Sequence, residues 1–242
     1  MSGHSKWSTI KRQKASTDQK RGQIFSKLAR GITIAAREGG GDPESNFKLR
    51  LSVERARVMN MPKDNIERAI AKGTGAGGEG QLEQVLYEGF TPVSGVAMLI
   101  ECVTDKKQRT VAEVKNLVEK NGGVFGNPGS AAYLFDYVGE IVVGKDGHSF
   151  DEIFETSVEA GASEVDEDGE VVIINTDTRD LQKVKNATEE AGYMVESAGL
   201  VYKAKSEVPI EDGEKNKVTS FVEKIEDHDD VQSVYVNTSL SE

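Results

Sequence analysis

With one cysteine, three histidines, one tryptophan and five prolines among 242 residues, the chain lacks the raw material of many sites. Cys102 has no second cysteine to form an internal disulfide with, and it sits in an apolar run that reads as a buried strand. A reducing, cytoplasmic setting fits it. His4, His148 and His228 are far apart, and none belongs to an H-x-x-x-H or H-E-x-x-H pair, so zinc chemistry has no pattern to rest on. The chain contains neither the phosphate-binding G-x-x-x-x-G-K-[ST] nor a G-x-S-x-G elbow. Carboxylates are plentiful, yet no spacing pairs two of them across a cleft. The reading is of a non-enzyme, with no catalytic residues, no metal, no cofactor and no small-molecule substrate. Long apolar runs are missing too: stretches such as Val96 to Ile100 fall far short of the roughly 20 residues that cross a bilayer. No apolar segment follows the basic start, as a secretory signal would require, so neither membrane nor export is indicated.

The last shortage is of positive charge, and it is unevenly distributed. The whole chain carries −11, with 30 Lys and Arg against 41 Asp and Glu. Residues 1–37, however, hold nine cations (Lys6, Lys11, Arg12, Lys14, Lys20, Arg21, Lys27, Arg30 and Arg37) and a single anion, Asp18. That leaves +8 at the start and −19 on the remainder. A chain that separates its charge this sharply uses one end to approach a polyanion, and nucleic acid is the commonest one a soluble protein meets.

Residues 1–16 have little periodicity apart from Trp7 and Ile10 and read as a basic arm. From Thr17 or Asp18 the pattern turns helical through Arg37, with Ile24, Phe25, Leu28, Ile32 and Ala35 on one side and Lys20, Lys27, Arg30 and Arg37 on the other. One face packs, and the other is offered to phosphate. Gly39 to Gly41 end this helix, and Asp42-Pro43 is expected to cap and open a second, running to about Asn60. Its apolar residues lie on two sides, Phe47, Leu51 and Val58 on one and Leu49, Val53 and Ala56 on the other, so it is expected in the middle of a small bundle. Met61-Pro62 starts a short third helix, with Ile66, Ala69 and Ile70 inward and Gly73 as its C′ residue. Helix, turn and short helix also admit a helix-turn-helix reading without requiring it.

Five glycines in the eight residues Gly73 to Gly80 match G-x-G-x-x-G, but a helix precedes them where the dinucleotide fingerprint needs a strand; this is a linker. Val96 to Thr104 reads as a central strand, Thr110-Val-Ala-Glu113 as a capping box opening a helix, and Ala131 to Tyr137 as a further strand. Residues 139–206 follow in the order β-α-β-β-α-β, the ferredoxin-like arrangement. The carboxylates of Glu164, Asp166, Glu167, Asp168 and Glu170 read as a solvated turn, because their spacing departs from a calcium loop. The tail adds one helix with Val218, Phe221, Val222 and Ile225 and one strand with Val231, Val234 and Val236. These cannot bury their own faces and are expected to complete the sheet begun at residue 81. The fold class is therefore α+β with three domains: 1–80 basic and helical with its glycine-rich linker, 81–138 plus 207–242 central, and 139–206 inserted.

Gly3-His4-Ser5-Lys6-Trp7, Ile10-Lys11, Arg21-Gly22, Phe25-Ser26-Lys27-Leu28, Asp42-Pro43 with Asn46 and Leu49, Asn60-Met61-Pro62 with Asn65-Ile66, and Arg68-Ala69-Ile70 closely resemble the YebC/PmpR family. Tyr87-Glu88-Gly89, Thr104-Asp105, Arg109-Thr110 and Gly129-Ser130 extend the likeness over nearly the whole chain. Departures stand at Lys106 and Gln108, where the family usually has asparagine, and at Val93-Ser94 before Gly95. The resemblance implies a helical N-terminal domain followed by two α/β domains, and a basic start that belongs to the working protein rather than to a transit peptide. For function it implies a DNA-binding transcriptional regulator in bacteria. Mitochondrial relatives are translational activators of a cytochrome oxidase subunit, and bacterial members have been tied to ribosomes.

Three readings follow: a regulator on duplex DNA, a translation factor on ribosomal RNA or the ribosome, and a protein-only adaptor whose basic end docks an acidic partner. DNA is ranked first by the family description, because phosphate contacts carry no base information. The residues expected to touch nucleic acid are Lys6, Trp7, Lys11, Arg12, Lys14, Lys20, Arg21, Lys27 and Arg30. Trp7 is open to two roles, stacking on an exposed base or anchoring a core. A monomer is favoured without being fixed.

Overall fold

The computed structural model describes the backbone of residues 18–75 and 82–240, with side chains from Arg21 onward. In chain order the elements are α1 (Asp18–Gly39), α2 (Phe47–Val58), α3 (Lys63–Gly73), β1 (Glu83–Phe90), β2 (Ala97–Thr104), α4 (Lys107–Lys120), β3 (Val124–Phe125), β4 (Phe135–Gly144), α5 (Phe150–Ala160), β5 (Glu164–Asp168), β6 (Val171–Thr176), α6 (Leu181–Glu190), β7 (Met194–Ala204), α7 (Asp212–Glu226) and β8 (Val231–Val236). This is an α+β fold, with seven α-helices and two four-stranded antiparallel sheets among the described residues.

α1, α2 and α3 close around Ile32, Ala35, Leu49, Val53, Ile66 and Ala69. The start of α2 differs from expectation. Asp42 and Pro43 form a turn, whose Asp42 carbonyl accepts from the amides of Ser45 (3.2 Å) and Asn46 (2.9 Å). The cap is Asn46: its Oδ1 accepts from the Leu49 amide at 3.1 Å while its Nδ2 donates to the carbonyls of Ala35 and Gly40, each at 2.7 Å. A buried amide that caps one helix and ties it to the end of another outweighs a proline-led start. Gly73 is not the C′ residue either. It is the last helical residue, and its role is close approach, since a Cβ there would lie 2.7 Å from the Ala36 Cβ and against the Thr33 carbonyl. The positive φ expected after a helix falls on Gly75, at 96°.

The two-sided α2 sits between different neighbours, not inside a bundle. Leu49, Val53 and Ala56 face the helices, while Leu51, with Phe47 beside it, joins the core of the second sheet. Val58 is exposed.

The first sheet has the order β3-β1-β2-β8. β2 is apolar apart from Glu101 and Thr104 because both its faces are covered. Met98, Ile100 and Cys102 meet Val114 and Val118 of α4 and Phe221 and Val222 of α7, while Ala97 and Leu99 meet Phe135, Val201 and Tyr202 of the second sheet. Strand β8, from the tail, pairs with β2 across Met98↔Val236 to Cys102↔Val231. Thr110 does not cap α4, which begins at Lys107. It lies inside the helix with its hydroxyl buried, 2.7 Å from Thr104 Oγ1 and 2.6 Å from Asp230 Oδ2, and those partners explain why a threonine stands there.

The strand expected at residues 131–137 is displaced. The Glu88 carboxylate accepts from the amides of Gly129 and Ala131 at 2.6 Å and Ala132 at 2.7 Å, pinning this loop into a 3₁₀ turn over Ala132–Leu134. The strand proper, β4, starts at Phe135, runs without a break past residue 138 to Gly144, and belongs to the second sheet. That sheet has the order β5-β6-β4-β7, with α5 and α6 supplying Ile153, Leu181 and Val184 to its core. The acidic residues 164–168 form its edge strand β5 and not a turn. Their charge is answered by Lys203, which pairs with Glu164 at 2.6 Å and Asp166 at 3.8 Å, and by Lys145, which pairs with Glu167 at 2.5 Å. Charged side chains on an edge also discourage pairing with another chain.

Candidate nucleic-acid interface

Of the residues expected to touch nucleic acid, Lys6, Trp7, Lys11, Arg12 and Lys14 lie outside the described residues. Lys20 falls on the first turn of α1, and its side chain is likewise not described. Arg21 is exposed. Lys27 and Arg30 are elsewhere engaged. Spaced three residues apart, they project from one side of α1 onto the turn between α7 and β8. The Lys27 ammonium donates to the Glu226 carbonyl. The Arg30 guanidinium donates to the Asp229 carbonyl at 2.7 Å and the Asp230 carboxylate at 2.6 Å, and it reaches the Val103 carbonyl at 3.4 Å. Further along the helix, Arg37 donates to the Leu82 carbonyl. The side of α1 read as offered to phosphate thus rests on the chain's own acidic body.

Asp230 is the centre of this contact. It is 2% exposed, and its other oxygen takes the Arg109 guanidinium at 2.9 Å and the Thr110 hydroxyl at 2.6 Å. Burial alone would raise its carboxyl, but the bonds from Thr110, Arg109 and Arg30 outweigh it and hold the group below the usual aspartate range. Its own amide donates to His228 Nδ1 at 3.2 Å, which places the proton of a neutral His228 on Nε2, 3.1 Å from Glu113 Oε2.

Other cations of the helical unit, on the described residues, remain at the surface. Arg55, Arg57, Lys63, Arg68 and Lys72 are exposed; Lys63 pairs with Glu67 at 3.5 Å and Arg68 donates to Asn65. They stand outside the set expected to touch nucleic acid. The signal was present, since residues 48–72 hold seven Lys and Arg against three Asp and Glu. A cavity of about 390 Å³ opens where α1 and α2 meet β7 and β8, with Ile24, Leu28, Leu51, Leu200 and Tyr235 on its wall beside Lys27, Arg55, Glu140 and Glu226.

Cys102 is fully buried, and burial together with the nearby Asp230 and Glu101 carboxylates pushes its thiol up to about 12, which withholds the thiolate. Among the described residues no group of three or more His, Cys, Asp and Glu side chains could hold a metal ion, and no helix is long and apolar enough to cross a membrane.

Comparison with known proteins decides the family. The pattern described as the TACO1/YebC protein N-terminal domain matches residues 5–76, and that described as the TACO1/YebC second and third domain matches residues 82–238. The chain belongs to the TACO1/YebC family. A relative from Rubrobacter xylanophilus, named "Probable transcriptional regulatory protein", is 45% identical over 100% of this chain and 97% of its own. One from Caldanaerobacter subterraneus subsp. tengcongensis, with the same description, is 44% identical over the whole of both chains. Among solved structures, a conserved hypothetical protein from Aquifex aeolicus superposes with a TM-score of 0.84 at 41% identity, over 93% of each chain. The match of TACO1/YebC members to both helical and sheet-bearing parts agrees with the resemblance carried by Gly3 to Trp7 and Asn60 to Ile70.

Proposed function

We propose that this TACO1/YebC member is a non-enzymatic, nucleic-acid-binding regulator of gene expression, acting on duplex DNA and gripping phosphates with its basic N-terminal part. One observation carries the reading: residues 1–17 contain Lys6, Lys11, Arg12 and Lys14 and no acid, in a chain whose other residues are strongly anionic. The exposed Arg21, Arg55, Arg57 and Lys72 extend the same charge onto the helical unit. The names of the relatives support regulation of transcription. The acidic sheets stay clear of phosphate by repulsion.

Removing residues 1–37 is a poor test, because Ile32, Ala35 and Ala36 of α1 belong to the helical core. The full-length chain with Lys6, Lys11, Arg12 and Lys14 all changed to glutamine keeps that core. Its affinity for duplex DNA, measured against salt, is expected to fall, with the log–log slope flattening by about 0.9 for each phosphate no longer neutralised. Unchanged affinity and slope would refute the reading. Purified ribosomes, titrated beside the duplex at physiological salt, separate the targets: binding to ribosomes without binding to any duplex identifies a translation factor.

A further inference from the structure

We propose that the acidic turn Glu226–Asp230 is an intramolecular stand-in for phosphate, which covers part of the cationic face of α1 and has to be displaced before that face meets nucleic acid. The inference rests on the function proposed above and deepens it. The turn reads Glu226-Asp227-His228-Asp229-Asp230, four carboxylates in five residues. It meets α1 with oxygen acceptors: the Glu226 and Asp229 carbonyls and the Asp230 carboxylate, set against Lys27 and Arg30. Oxygen acceptors opposite a guanidinium and an ammonium are what a sugar-phosphate backbone offers.

The arrangement is built to open. Asp230 keeps Arg109 and Thr110 when Arg30 leaves, so release exposes no unpaired buried charge. The Arg30 side chain is already 27% exposed, so water reaches it while it is bound. The helical unit has a core of its own, and its apolar packing against the rest is limited, with Ile34 on Leu82 and Val103, and Leu51 and Phe47 on the second sheet. A joint of this size permits movement of one body against another. The balance of forces favours a polymer. Partly exposed ion pairs each contribute little, whereas a nucleic acid offers many phosphates and releases condensed counterions as they are neutralised.

The test uses the full chain with dyes on Glu67→Cys in α3 and Asp212→Cys in α7, both exposed positions; the buried Cys102 is not labelled. Energy transfer is read without nucleic acid as salt rises from about 50 mM to about 1 M, then at low salt with duplex DNA and, separately, ribosomal RNA. Transfer is expected to fall in the salt series and on adding a polymer that binds. Asp230→Asn is expected to start in the open form and to bind about fivefold tighter, the share withheld by one or two such pairs. Should Asp230→Asn fold poorly, Arg30→Gln, which leaves Asp230 its other partners, is expected to open at lower salt with an unchanged circular-dichroism spectrum. Polymer binding with constant transfer, or with no gain in Asp230→Asn and no shift in Arg30→Gln, overturns the stand-in while sparing the proposed function. Opening by salt with no binding of either polymer by wild type or variants overturns the proposed function, and the stand-in with it.

Discussion

Glu88 shows how much one side chain can organise. It is a carboxylate at the inner end of β1, 8% exposed, spending both oxygens on three backbone amides of the loop that turns the chain from the first sheet into the second. Burial by itself would raise its carboxyl; the three amide bonds win and lower it. A group whose folded value lies below its unfolded value stabilises the protein above the unfolded value, and that stability is lost as pH falls through the folded one. The window therefore opens at the ordinary carboxylate range, about pH 4, and extends downward. Glu88→Gln presents an NH₂ where an amide already donates, and is expected to cost about 2–3 kcal/mol at neutral pH. Because glutamine does not titrate, the variant is also expected to lose less further stability than wild type between pH 5 and pH 3. Urea unfolding of both proteins at those two pH values and at pH 7 checks this, and parallel acid losses would remove Glu88 from the account.

Among the helices, α1 has two packed sides where the sequence pattern suggests one. Its apolar side is legible, since Ile32 and Ala35 recur at helical spacing and both are buried. Its cationic side is legible as charge but not as contact, because the partners of Lys27 and Arg30 lie 73 to 200 residues away and three of them are backbone carbonyls, which no sequence pattern marks. Thr110 and Asn46 mislead for a related reason: a threonine before a glutamate looks like a cap until Thr104 and Asp230 take its hydroxyl, and Asp-Pro looks like a start until a buried asparagine offers more bonds. Gly73 reads as a helix end, when what matters is its lack of a Cβ between α1 and α3. The last point has a measurable consequence. Propensity alone says that alanine at a helical glycine adds up to about 1 kcal/mol, whereas overpacking against Thr33 and Ala36 costs about 1–3 kcal/mol. Gly73→Ala is expected to lower the melting temperature and to speed amide exchange in α3. A higher melting temperature would mean that the two helices can part at no cost.

Across the full chain, the decisive contrast is between two joints. The helical unit meets the sheets through few apolar groups and a set of charged contacts, but the sheets meet each other through Leu99, Phe135, Val201 and the edge-on ring pair Tyr202–Tyr235, 5.3 Å apart. β4 crosses this second joint without interruption: Phe135 at its start packs on the first sheet, and Ile141 and Val143 farther along fill the core of the second. A strand shared in this way leaves no slack between the sheets, so they are expected to unfold together and to move as one body when the helical unit swings. Phe135, 5% exposed, is the group on which that unity can be tried. Phe135→Ala removes a ring from the joint at a cost of about 3–5 kcal/mol. Beyond lowering stability, it is expected to divide a shared transition, so that amides of β6 and of β2, which open together in wild type, exchange with separate free energies. Should both sheets still open as one in the variant, the coupling runs through the covalent strand itself and not through the packed ring.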